Sequence, residues 1–172
     1  MSEDSSFELR PLIGNPEDLL EVQRLLESAP DYAEAIQGAP FDSHEATRTF
    51  EELPPGVARS AKTVIGIYSG NELAGVIDLI DGFPVPTTAM LGLLLIAGTH
   101  RRRGLGTRAA RAVEDLVSSW GTCDRIRIGV VRTNEPALVF WKATGYSATG
   151  EQRPWEEGAV RSEVIVMEKL IG

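Results

Sequence analysis

The chain has 172 residues, 42% of them hydrophobic and 24% charged, with a formal net charge of −8. That length suits one domain with a sizeable core, and the mix is ordinary for a soluble globular protein. The acid excess argues against nucleic acid as the main partner, which would need a basic face. The one cysteine, Cys123, rules out an internal disulfide and fits a reducing cytoplasm.

Met1 to Ser6 is acidic and polar, unlike a signal peptide, and is expected to fray. Phe7 to Ile13 alternates apolar and polar residues, which predicts a strand. Gly14-Asn15-Pro16 breaks it, with Asn15 placed to cap a helix and Pro16 in the first turn. Leu19, Val22, Leu25 and Leu26 then share one helical face. Ser28-Ala29-Pro30 ends that helix. A short helical piece follows over Asp31 to Gln37, and Asp42 or Ser43 caps another reaching about Leu53, before the breaker Pro54-Pro55-Gly56. Thr63 to Tyr68 and Leu73 to Ile80 read as a hairpin around Ser69-Gly70-Asn71-Glu72. After the Asp81 to Pro86 loop, Thr87 to Ile96 is apolar enough for a central strand and far too short to span a membrane.

A helix over Leu105 to Trp120 would bury Leu105, Ala109, Ala112, Val113, Leu116, Val117 and Trp120. Arg125 to Val131 predicts a strand, and a helix runs from near Asn134 to a left-handed cap at Gly145. Two final strands, Tyr146 to Gln152 and Arg161 to Lys169, flank a loop through Pro154 and Gly158. The order predicts a single α/β domain over 1–172, with an ordered core over about 7–170 and a mixed central β-sheet flanked by helices.

The most informative stretch joins the central strand to the long helix. Leu94, Leu95 and Ile96 end the strand, Arg101, Arg102 and Arg103 follow, and Gly104, Leu105, Gly106 and Thr107 open the helix. Free N–H groups of a first helical turn, with roughly half a positive charge from the helix dipole, make an anion site. No Gly-Lys-Ser/Thr closes it as in a nucleotide P-loop, and the dinucleotide fingerprint is missing. What remains, Arg101-x-x-Gly104-x-Gly106 after a strand, resembles the pyrophosphate-binding loop of the GNAT family of acetyl-coenzyme A-dependent N-acetyltransferases. A second stretch, Asn134 to Tyr146, is similar to that family's N-x-x-A-x-x-F-Y-x-x-x-G-F signature at Asn134, Ala137, Phe140 and Gly145. The resemblance runs from about Phe7 to Leu170.

The resemblance implies a GNAT fold and acetyl-coenzyme A as co-substrate, with no metal. Backbone N–H groups of Arg102 through Thr107, beside Arg101, would receive the pyrophosphate. Leu94 to Ile96 would offer backbone edges to the pantetheine amides, and an N–H near Ile96 would polarise the thioester carbonyl. Asn134 would bond the pantetheine arm, with Ala137 on the same helix, while Phe140 and Trp141 wall the thioester from water. The acceptor would be a small-molecule or protein amine; no nucleic acid or membrane partner is implied, and a homodimer is an allowed assembly. Plain structural readings stand beside these: the arginines as a solvated loop, Asn134 as a helix cap, Phe140 and Tyr146 as core.

Two departures touch the mechanism. Trp141 replaces the tyrosine that many family members use as general acid, and indole donates no proton at neutral pH. Gly129 stands where a glutamate often acts as base. The candidate bases are Asp78, within an apolar strand, and Asp81, in the turn after it; His100 is a third titratable group beside the loop. Polar alternation explains Asp78 equally, and turn chemistry Asp81. Asp31, Glu34, Asp42, Glu45, Glu156 and Glu157 would attract a cationic amine or form solvated faces. A non-catalytic acyl-coenzyme A sensor is the alternative function.

Overall fold

The structure, a computed structural model, describes residues 6–172. Expectations for Met1 to Ser5 lie outside the described residues. Ser6 is not frayed: its carbonyl and hydroxyl oxygens both accept from the Gly70 N–H, at 3.1 and 2.9 Å.

Four antiparallel strands build one half of the sheet: β1 (Phe7–Leu12), β2 (Lys62–Ser69), β3 (Glu72–Ile80) and β4 (Thr88–Ile96). β5 (Arg125–Val131) runs parallel to β4, and β6 (Ser147–Glu157) and β7 (Val160–Leu170) complete seven strands in the order β1-β2-β3-β4-β5-β7-β6. α1 (Pro16–Glu27), α2 (Pro30–Gln37) and α3 (Glu45–Glu51) precede β2, while α4 (Leu105–Trp120) and α5 (Glu135–Ala143) flank β5 in sequence. Strand alternation sorts the core into two layers. Ile65, Ile77 and Leu79 pack with α4 and α5; Val64, Val76 and Leu95 pack with α1 and α3.

Local chemistry sets the element ends. Asn15 accepts from the Asp18 N–H at 2.8 Å, so the expected cap of α1 is formed. Pro30 does not simply end a helix; it occupies the first turn of α2, where a missing N–H costs nothing. α3 starts at Glu45 with His44 at its N-cap, not Asp42 or Ser43, because the Asp42 carboxylate accepts from the His44 N–H at 2.8 Å and holds a turn instead. On α4, Ala110 is buried, whereas Ala112, Leu116 and Trp120 are only partly so.

The largest correction lies at the end of the chain. The expected Pro154–Gly158 loop is strand: β6 continues to Glu157, and only Gly158-Ala159 turns. Pro154 is tolerated because β6 is an edge strand, paired on one side only. Arg127 of β5, only 8% exposed, ties the three last strands by pairing with Glu168 at 3.0 Å and Glu151 at 2.5 Å. Ile126, fully buried beside it, is a core test: Ile126→Ala is expected to lower stability by about 2–5 kcal/mol in chemical denaturation.

Candidate active site

The site exists because two neighbouring strands part. β4 and β5 pair only where Thr88–Met90 face Arg125–Arg127. Across the other edge of β4, Asp78 opposes Leu93 and Leu79 opposes Leu91, leaving Gly92 as the extra residue of a β-bulge. A bulge bends its strand and increases the local twist, which suits the departure of β4 from β5. A cavity of about 610 Å³ fills the gap. Leu91 to Ile96 form one wall and Ile128 to Val131 the other. Asn134, Ala137, Phe140 and Trp141 come from α5, and Asp31, Tyr32, Ala35 and Ile36 from α2.

The loop after β4 forms the mouth. Arg102 and Gly104 both have left-handed backbone, with φ of 62° and 74°. Such turns gather successive N–H groups into an anion-binding concavity, and a non-glycine residue held there marks a functional candidate. Gly104 sits at the N-cap of α4 with no side chain capping the first turn, so the opening N–H groups keep their bonding capacity for a ligand. A Cβ on Gly104 would meet nothing within 4 Å, and one on Gly106 would touch the Phe140 ring at 3.4 Å. The cradle is therefore open at Gly104 and walled by Phe140 at Gly106. Arg101 points elsewhere: its Nε donates to the Ile96 carbonyl at 3.2 Å, and Nη1 pairs with Asp31. Arg103 is exposed and stands outside the cavity lining; all the other expected binding residues, Leu94 through Trp141, line it.

Asn134 precedes α5 but makes no side-chain cap bond, so its amide remains available to the cavity it lines. Phe140 and Trp141 meet edge to face with centroids 4.9 Å apart, and Trp141 meets Tyr146 in the same way. Trp141 thus belongs at once to the cavity wall and to the core. Tyr146 is buried, as its core reading required, and burial pushes its hydroxyl pKa up.

Neither candidate base is on the cavity lining, and the two sit differently behind it. Asp78 projects to the α1–α3 face of the sheet, where Oδ2 lies 3.0 Å from Lys62 Nζ. The same oxygen lies 3.0 Å from where a Gly92 Cβ would stand, so the bulge glycine makes room for the carboxylate beside the cavity wall. Oδ1 is buried and finds no hydrogen-bond partner among the described residues. Burial raises the Asp78 pKa above the ordinary carboxylate value, Lys62 opposes the rise, and Glu52 adds to it. Lys62 is almost wholly buried and also donates to the Glu52 carbonyl at 2.8 Å. Asp81 lies past the far end of β3, where it accepts from the Cys123 thiol at 3.3 Å and stands outside the cavity lining. His100 lines the cavity, with its ring held between Thr99 Oγ1 at 3.0 Å and Glu72 at 3.3 Å.

Four of the six acidic residues singled out in the sequence are paired, two of them with the same arginine. Asp42 and Glu45 pair with Arg48 at 2.8 and 2.5 Å, Asp31 with Arg101, and Glu156 with Arg161 at 3.8 Å. Among the described residues, Asp31 is the only carboxylate on the cavity lining.

An acetyltransferase (GNAT) family model matches residues 22–146. The chain belongs to the acetyltransferase (GNAT) family. Members of this family use acetyl-coenzyme A. No curated protein matches the chain, but solved structures do. An acetyltransferase from Thermus thermophilus aligns with a TM-score of 0.71 at 23% identity, over 96% of this chain and 97% of its own. Spermidine N-acetyltransferase from Vibrio cholerae, solved with CoA and spermine, gives 0.73 at 16%, over 98% and 97%. The ribosomal-protein-S18-alanine N-acetyltransferase from Escherichia coli gives 0.69 at 14%, over 97% and 95%. These likenesses establish the GNAT fold.

Several residues of this cavity and its surroundings escape sequence reasoning. Gly92 carried a signal, since a glycine inside an apolar strand marks a bulge or a close approach. Lys62, Tyr32, Ala35 and Ile36 carried none, because nothing local says which sheet face or helix side meets the gap.

Proposed function

We propose that this GNAT protein binds acetyl-coenzyme A between β4 and β5 and transfers the acetyl group to a primary amine by direct attack in a ternary complex. One observation carries the reading: the anion cradle at the end of β4 opens into the strand gap, and the Asp78 carboxylate stands directly behind Gly92 of the gap's wall. Gly92 to Ile96 span about 13 Å of strand, a distance suited to an extended pantetheine arm. With the pyrophosphate at Arg102 to Thr107, that arm would run along Leu94 to Ile96 past Asn134. The thioester would then reach the bulge.

At that point Asp78 accepts a proton from the attacking amine, which must be neutral to be a nucleophile. The nitrogen bonds to the carbonyl carbon, the C–S bond breaks, and the electron pair leaves on sulfur. N–H groups of β4 beyond Met90, outside the short β4–β5 ladder, supply donors for the oxyanion. A thiolate needs no acid to leave, so Trp141 in the tyrosine position shields the reaction without donating. Solvent protonates the thiolate.

Lys62 keeps Asp78 ionised in a setting that favours the neutral form. Lys62→Met removes the opposing charge, so the acidic limb of the pH–rate profile is expected to move to higher pH; Lys62→Arg should largely restore it. An unmoved limb would show that Lys62 does not tune the base. The overall reading is tested by following free thiol release from acetyl-coenzyme A across an amine panel. The sensor alternative, favoured by Trp141 and Gly129, predicts binding with no amine-dependent release.

A further inference from the structure

We infer that the acceptor is a small monoamine carried on an apolar body, not a polyamine and not the amine of a protein chain; the inference rests on the acetyl-transfer reading above. With the cofactor arm along β4 and β5, the space left for an acceptor is bounded by α2. Tyr32, Ala35 and Ile36 line the cavity there, as does Leu93 of β4. The wall is apolar except for the Tyr32 hydroxyl, whose pKa burial pushes up to about 12, so it stays neutral.

Charge decides against a polycation. Each ammonium group taken from water needs a carboxylate partner, and the one carboxylate on the lining among the described residues, Asp31, is already paired with Arg101. An apolar wall instead suits a single amine, because desolvation lowers its pKa toward the neutral, reactive form. It thereby shares the work of Asp78.

Geometry decides against a protein chain. α2 is fastened at both ends. At its start, Asp31 pairs with Arg101, and the Gly98 backbone packs so closely on the Ser28 carbonyl that a Cβ would lie 2.6 Å away. At its end, Trp155 Nε1 donates to the Ile36 carbonyl at 2.7 Å, Thr133 Oγ1 to Ala35 at 2.5 Å, and the Ala159 N–H to Gln37 at 3.1 Å. The β6–β7 hairpin therefore clamps α2 as a roof over the gap. A polypeptide would have to lift that roof, whereas a compact amine fits beneath it in what remains of about 610 Å³.

Calorimetric titration of the coenzyme A-loaded protein with isoamylamine, spermidine and a short peptide beginning with alanine tests this. Isoamylamine is expected to bind at least about tenfold more tightly than either of the others, a difference of about 1.4 kcal/mol. Ala35→Asp, which adds an unpaired carboxylate to the wall, should reverse the order of isoamylamine and spermidine. Spermidine or peptide binding the unaltered protein as tightly as isoamylamine, or no amine binding at all, would overturn the inference. Failure of the acetyl-transfer reading appears elsewhere, as absent coenzyme A binding or absent thiol release. The same three titrations on the free protein keep the amine ranking measurable in that event.

Discussion

Gly104→Asp is expected to weaken coenzyme A binding by at least about a hundredfold. A Cβ at Gly104 meets open space, so the new side chain clashes with nothing and its carboxylate stands in the cradle. Two like charges 4 Å apart repel by about 4 kcal/mol at an effective dielectric of 20, which is close to three orders of magnitude in affinity. The backbone there has φ +74°, a conformation that aspartate and asparagine tolerate better than other side chains. Gly104→Asn therefore separates shape from charge. It should lose less than about tenfold, and the two variants should unfold at similar temperatures, both somewhat below the parent because a side chain is strained at this φ. Titration calorimetry reads the affinities. Unchanged binding in Gly104→Asp would remove the loop from the coenzyme A site.

Asp78→Asn carries the second large effect. A positioned base contributes about a hundred- to ten-thousandfold to rate, so kcat should fall by that order while coenzyme A affinity stays within a factor of about two. The pH dependence should change with it. Burial holds the Asp78 pKa above the usual carboxylate value, so the parent's rate declines as pH falls through that raised pKa, and the asparagine variant loses this limb. The linkage sign also bears on why the residue is there. A carboxyl whose folded pKa exceeds its unfolded pKa favours folding most when protonated, and that contribution fades as pH rises through the folded pKa. Above that pKa the ionised carboxylate is thus held against the preference of the fold, which is more natural for a working group than for a structural one. Asp81→Asn serves as the contrast: bonded to Cys123 outside the cavity, it should turn over at the parent rate. Full activity in Asp78→Asn would end its assignment as base.

Much of the architecture was legible because its signals are local. α4 and β5 run over the residues that periodicity marks, Leu105–Trp120 and Arg125–Val131, since each has a clean apolar face and a glycine or polar break at its end. The expected cofactor-side residues, Arg103 apart, line one cavity for the same reason, as the end of β4, one loop and α5 carry them. What escaped depends on pairing at a distance. The length of β6 is set by its partner β7, which overrides the breaker character of Pro154. The bulge at Gly92 exists only in the register with β3. Lys62 reaches Asp78 because β2 and β3 pair in a register that sets Val64 opposite Asp78, which places both side chains on one face of the sheet. The acidic residues near α2 and α3 were open to two readings, an attractor for cations or solvated faces, and pairing with Arg48 and Arg101, one turn away or distant in sequence, was not visible in the sequence.

The most direct test of the central claim is the initial rate of thiol release from acetyl-coenzyme A, measured with and without amine, together with mass spectrometry of the amine. The account predicts saturable, amine-dependent release matched one for one by acetylated amine. Saturable coenzyme A binding with release that no amine accelerates would contradict it and leave a protein that senses the thioester without spending it.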